Sequence, residues 1–246
     1  MFFHVPFTSV LIALCIATSN GNVFSALSTL PRLHLGAKGS LLGKFFPTTK
    51  APQYLTKDST SPGVQREFEG VVRNAQTEIC NAIEELDGVG KFQYDSWKRD
   101  NGGGGVSAVM ANGAVFEKAG VAVSVVYGTM PEEALKAATE RGFNRRAKLN
   151  RGKSKSANGE VGFFACGISS VIHPRNPHAP TMHFNYRYFE TEDGLWWFGG
   201  GADITPSYIN TKDMRHFHGH LKAVCDKHDR SFYPKFKKWA DEYFVI

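Results

Sequence analysis

Between Ser169 and Pro206 the chain runs SSVIHPRNPHAPTMHFNYRYFETEDGLWWFGGGADITP, which sets His, Arg and Asp side chains among aromatics, a triple glycine and proline corners. Imidazoles carry protons near neutral pH. A guanidinium fork clamps a carboxylate through two parallel bonds, and a carboxylate held between apolar surface and tight backbone serves as acceptor or base. This mixture describes a pocket. From Met182 to Phe189 polar and apolar residues alternate, so the pattern predicts a half-buried strand with His183, Asn185 and Arg187 on one face and Phe184, Tyr186 and Tyr188 on the other. On the polar face Arg187, with neutral Asn185 beside it, suits a carboxylate clamp; the alternative is a structural ion pair. The preceding loop, His173-Pro-Arg-Asn-Pro-His178-Ala-Pro, contains three prolines that stiffen the backbone under His173 and His178. Gly199-Gly-Gly201 follows Trp196 and Trp197 as a tight backbone passage and delivers Asp203, a candidate acceptor or base whose alternative role is a turn or cap before Thr205-Pro206.

Histidines 173, 183, 216, 218 and 220 invite a metal reading. The helical period trims it, because His216 and His220 share a helix face from which His218 points away. No conventional ligand spacing is present, which favours hydrogen-bonding and proton-transfer roles. Gly102 to Gly105 lack the frame of a phosphate-binding loop and read as close backbone passage beside a strand or ligand. There is no Gly-x-Ser-x-Gly elbow and no Cys and His pairing, so hydrolase readings are poor. Cys80, Cys166 and Cys225 are far apart without a CxxC pair, which argues against disulfides and against a cysteine zinc site.

The elements that must position these groups follow from periodicity. Phe68, Val71, Val72, Ala75, Ile79, Ile83 and Leu86 recur at helical steps, and Gly88 and Gly90 stop that helix. Strands are expected over Phe92 to Lys98, Val106 to Met110, Val115 to Lys118 and Val121 to Tyr127, with a hairpin turn at Asn112-Gly113. Pro131 with Glu132 and Glu133 opens a further expected helix to about Arg141. The seven Lys and Arg residues from Arg141 to Lys155 read as a solvated loop in preference to an anion patch. Strands then return over Gly162 to Ile172, Met182 to Glu190 and Leu195 to Phe198, and helices over Thr211 to His228 and Tyr233 to Phe244. Short turns favour an antiparallel sheet, and the order of elements an α+β domain with helices covering it.

The net charge of +6 belongs mostly to the first 57 residues, where five basic residues stand without an acid, leaving 24 basic and 23 acidic residues beyond them. The body therefore offers no electrostatic ground for nucleic-acid binding. Residues 1–57 read as a targeting leader. An apolar run from Val5 to Ala17 resembles a secretory signal and is short for a bilayer span, and the Ser-, Thr- and Leu-rich basic stretch after it resembles a transit peptide. Joined, they resemble the two-part address of plastids with several membranes; a mitochondrial presequence or a signal anchor is the alternative. No segment of the body, residues 58–246, suits a transmembrane helix.

The segments GGGGVSAVMANGAVFEKAGVAVSVVYG, GISSVIHPRNPHAPTMHFNYRYFE, WWFGGGADITPSY, HFHGHLKAVCDKH and YPKFKKWADEYF, in this order, resemble the oxygen-dependent coproporphyrinogen III oxidase family from about Val64 onward. The resemblance implies an α+β fold with a large, mostly antiparallel sheet between helix layers and a homodimer. It implies oxidative decarboxylation of two propionates of coproporphyrinogen III to vinyl groups, with O2 as co-substrate, no organic cofactor and a disputed divalent metal. Carried onto matching positions, His183 is a proton donor, Asp203 binds pyrrole N–H groups, and Ser169, Asn185, Tyr186 and Arg187 contact substrate. His173, His183 and His218 match proposed metal ligands. Family members continue past the position of Ile246, so the body is expected to be the N-terminal two thirds of the domain. A truncated product that binds tetrapyrrole or dimerises without turnover is the second expectation. A histidine-ligated metal oxygenase with another substrate is the third.

Overall fold

Apolar residues at three and four residue steps wind into α1 (Val64–Asp87) in a computed structural model that describes residues 63–131, 160–192 and 194–244. Its buried stripe is Phe68, Val72, Ala75, Cys80 and Ile83. Gly88 ends it in the left-handed conformation that glycine adopts without strain, at φ 73°, and donates its N–H to the Glu84 carbonyl. Antiparallel strands follow as a meander in which each pairs with its neighbours in sequence: β1 (Gln93–Lys98), β2 (Gly103–Ala111), β3 (Phe116–Pro131), β4 (Glu160–Pro174), β5 (Thr181–Thr191) and β6 (Trp196–Thr205). The chain then forms α2 (Thr211–Asp226), capped by the Asn210 side chain accepting from the Lys212 N–H, and α3 (Phe232–Tyr243).

One face of the sheet makes the core. Val121, Val123 and Val125 of β3, Ala108 and Met110 of β2, and Ile168 of β4 are each at most 1% exposed and cluster with the α1 stripe. Burial of a side chain of this size contributes about 1.5–3 kcal/mol. Val224 and Cys225 of α2 and Phe232 of α3 extend the same cluster. Two polar anchors register α1 on the sheet. Gln76 donates from Nε2 to the carbonyls of Val106 and Val121, at 2.9 and 2.8 Å, so one amide spans β2 and β3. Asp87 accepts the backbone N–H groups of Gly90, Ala114, Val115 and Phe116, at 2.6 Å for the first and 2.9 Å for the rest. These bonds to the charged form hold its carboxyl far below the usual carboxylate range.

The α+β class and the antiparallel order match expectation, and Asn112 takes the expected left-handed turn conformation at φ 58°. Several boundaries differ, three of them in ways that change how the strands run. The two expected strands from Val115 to Tyr127 are one strand, because Ala119 and Gly120 stay paired with Ile172 and Val171; the irregularity lies between Phe116 and Lys118. Pro131 ends β3 opposite Glu160 where a helix start was expected. β6 does not stop at Phe198: its pairing continues through the glycines to Thr205. The leader, the rest of the expected helix after Pro131 and the basic run to Lys155 lie outside the described residues.

Candidate active site

The strand period and the register of three strands assemble the site. On β5, His183, Asn185 and Arg187 share the face opposite the core, as their alternation requires. Pairing on one side sets Val171, Ser169 and Gly167 of β4 against them in that order, and on the other side Asp203, Gly201 and Gly199 of β6. His183 and Asp203 meet directly, Nδ1 to Oδ2 at 2.7 Å, each side chain about one third exposed at 33% and 34%. A carboxylate only accepts, so Nδ1 carries the hydrogen of this bond and Nε2 is left to take or give a proton. Asp203 Oδ1 has no hydrogen bond to a described residue, which leaves it for a ligand N–H.

Arg187 is exposed and forms no ion pair with a described residue, so the structural role weighed for it from sequence has no counterpart here. Its stem lies along Gly167, where an added Cβ would come within 3.0 Å of Arg187 Cγ and 2.7 Å of the Tyr186 carbonyl oxygen. Gly167 thus makes the channel in which the arginine lies. The Arg187 and His183 rows are four residues apart, about 14 Å at the rise of an extended strand. A ligand engaged at both ends has that span.

The sequence pattern did not single out the aromatic wall beyond Arg187. Phe189, two residues on and on the same face, stacks on Trp197 at 4.3 Å and 26° and on Phe163 at 5.8 Å and 9°. The parity that groups His183 with Arg187 also reaches Phe189, and that was the available signal. The face therefore runs from an apolar wall, past a cation and a floor of small residues, to a hydrogen-bonded His and Asp.

Not every expected residue joins this face. Ser169 does, beside Asn185. Tyr186 does not: as the middle residue of an alternating triplet it turns to the core, 6% exposed, with its ring 5.8 Å from that of Phe184. His173 lies one residue before the end of β4, on the site face, with Nδ1 3.5 Å from the Thr181 hydroxyl, at the outer limit of a hydrogen bond. His178 stacks on Tyr208 at 4.9 Å, tying the proline loop to the segment after β6. His218 lies on α2, where its Nδ1 is 3.2 Å from the Tyr233 hydroxyl of α3. His216 and His220 lie together on an exposed part of the same helix, 4.1 Å between rings. Among the described residues no three His, Cys, Asp or Glu side chains converge as a metal would require, so the donor set His173, His183 and His218 does not fit one ion as arranged here.

No cysteine among the described residues competes as a nucleophile. Cys80, Cys166 and Cys225 are buried and unpaired. Burial pushes the Cys80 thiol up to about 11 and raises Cys166 and Cys225 as well, which keeps all three protonated and unreactive. Burial and the neighbouring Glu190 carboxylate likewise keep the Tyr188 hydroxyl protonated.

The chain matches the family model described as coproporphyrinogen III oxidase over residues 67–246. It is 51% identical over 200 residues to coproporphyrinogen-III oxidase 1, chloroplastic, of Arabidopsis thaliana, covering 78% of this chain and 49% of that protein. It is 49% identical over 190 residues to the oxygen-dependent coproporphyrinogen-III oxidase, mitochondrial, of Homo sapiens, covering 75% and 40%. With the chloroplastic protein of that name from Hordeum vulgare the identity is 48% over 223 residues, covering 85% and 56%. The chain spans about half the length of the curated relatives it matches.

Proposed function

Because the chain belongs to the coproporphyrinogen III oxidase family, we propose that the face built by β4, β5 and β6 binds coproporphyrinogen III and takes part in its aerobic oxidative decarboxylation to protoporphyrinogen IX. The observation that carries this reading is the 2.7 Å pair of His183 and Asp203 on the same face as an exposed Arg187, with a small-residue floor between them. A tetrapyrrole with its propionate arms matches that spacing and that order of groups.

Each conversion balances as one propionate, one O2 and one proton giving a vinyl group, CO2 and hydrogen peroxide. The bond to the carboxyl carbon breaks and its pair becomes the new C=C bond. A C–H bond on the carbon next to the ring breaks, and the two electrons released reduce O2. Arg187 holds a propionate carboxylate through its guanidinium fork, with Asn185 and Ser169 beside it. Asp203 Oδ1 accepts a pyrrole N–H, which makes the ring more electron-rich and readier to give electrons to O2. His183 keeps Nδ1–H on Asp203 and moves a proton at Nε2. O2 is the co-substrate, in keeping with the names of the relatives. No step is routed through a metal, since the three candidate histidines do not converge on one point among the described residues.

A plastid setting belongs to this reading. It is supported by the composition of the leader and the chloroplastic names of the plant relatives, and the animal relatives' mitochondrial names mark the alternative. No helix among the described residues is long and apolar enough to cross a membrane. A homodimer, which the resemblance implies, is part of this reading, and light scattering of the purified protein tests it. The test of the reaction is aerobic incubation with coproporphyrinogen III and chromatography of the products after oxidation to porphyrins. Appearance of the dicarboxylic product supports the reading; absence of both turnover and coproporphyrin III binding by folded protein refutes it.

A further inference from the structure

Three consecutive glycines on β6 have different physical reasons to be glycine. Gly200 is exposed on the face of the strand opposite its two neighbours, and a Cβ there would run into the Asn185 carbonyl oxygen and the Tyr186 ring, so the close approach of β5 demands glycine. Its two neighbours face the site. Among the described residues a Cβ on Gly201 would meet nothing within 4 Å, and one on Gly199 would only touch Trp197 Cδ1 at 4.0 Å. Neither adopts a positive φ, and the β5–β6 register runs unbroken from Thr181 opposite Thr205 to Glu190 opposite Trp196, so no turn or bulge calls for them. Glycine inside a strand costs backbone entropy and leaves no side chain to pack. The protein carries that cost at two positions where its own packing would accept alanine.

The surroundings say what the space is for. Gly201 lies opposite Asn185 and two residues from Asp203, and Gly199 lies opposite Arg187 and two residues from Trp197. The bare backbone is thus bordered by a carboxylate, an amide, a cation and an indole. We propose that Gly199 and Gly201 are specificity-determining residues: they let one planar pyrrole ring of the substrate rest on the β6 backbone, with its N–H level with Asp203 Oδ1. A single Cβ would lift the ring by about 1.5 Å, the length of a C–C bond. That displacement exceeds the tolerance of a hydrogen bond of about 2.9 Å. Trp197 then serves as the edge against which the ring stops.

This inference rests on the tetrapyrrole reading, and the test separates the two. Gly201→Ala, Gly199→Ala and Gly201→Val are made in the full chain. Each is measured by thermal melting, by fluorescence titration with coproporphyrin III, and by turnover of coproporphyrinogen III. The expected result is a melting temperature equal to or above that of the parent, with porphyrin affinity and kcat/KM reduced about 10- to 100-fold, the valine variant most. Parent-like affinity and kcat/KM in both alanine variants overturn the inference while leaving the tetrapyrrole reading intact. Alanine variants that unfold also overturn it, because the glycines would then be structural. A parent chain that neither binds coproporphyrin III nor turns over its reduced form overturns the reading itself, and the inference with it.

Discussion

Asp203→Asn is the substitution that separates chemistry from stability at this site. The carboxylate and His183 are about one third exposed, 34% and 33%, so water screens their attraction. A pair so exposed contributes about 0–1 kcal/mol to folding. For a chain of this size that moves the melting temperature by no more than about 4 °C. The kinetic effect is of another order. Asparagine offers an N–H₂ as well as a carbonyl, and when the amine faces Nδ1 the imidazole hydrogen moves to Nε2, the atom assigned to proton transfer. Loss of a positioned acid–base group costs about 10²- to 10⁴-fold, or about 2.7–5.4 kcal/mol of barrier at 1.36 kcal/mol per tenfold. His183→Gln is expected to lose a similar factor, and the double variant little more than either single one, since the two act as a unit. The assay is steady-state conversion of coproporphyrinogen III, with melting curves for all four proteins. Parent-like turnover in the Asn variant would refute the assigned role of the pair, and so would strictly multiplicative losses in the double variant.

On the proposed reading Arg187→Ala removes two charge-assisted bonds to a propionate and is expected to raise KM about 10- to 100-fold. Arg187→Lys, which keeps the charge without the fork, should fall between; a fall in kcat at unchanged KM would argue against a binding role. Asp87 predicts acid sensitivity. Its folded carboxyl titrates well below its unfolded value, near 3.9, so its stabilisation is complete above about pH 4 and is lost as pH falls towards the folded value. Asp87→Asn should lower the melting temperature at pH 7 and flatten its decline on acidification; an unchanged decline would mean that other carboxylates dominate. Glu84, held low by Lys91 and the Phe92 N–H, is the first of those to test.

Much of the scaffold was legible in the sequence because single periods carried it. The α1 stripe and the alternation of β5 were read from their spacing, and with them the placing of His183, Asn185 and Arg187 on one face. What failed was local propensity set against pairing. The expected strands left Ala119 and Gly120 between them, yet β4 pairs along that whole stretch; the last strand was expected to end at Phe198, yet β5 holds Gly199 to Gly201 in register as the close backbone passage beside a strand that was read there. The meeting of His183 with Asp203 depends on that register, which no spacing in one strand reveals. Tyr186 shows the opposite case: a run of three site residues carried over by resemblance must send its middle member to the other face of a strand.

The meander has a consequence for how the chain folds. His183 and Asp203 are 20 residues apart and joined by a single hairpin, whereas the bond from Gln65 of α1 to Glu190 of β5 closes 125 residues. Loop-closure entropy grows with length, so the strands that hold the proposed site gather at low cost, and the seating of the N-terminal end of α1 on β5 is the distant closure. Pulsed hydrogen exchange during refolding should register protection at the paired amides of β5 and β6 before those of α1, and simultaneous protection would contradict it. On this account the dyad is assembled in a nascent hairpin, and the helix that seals the core arrives at a site already arranged.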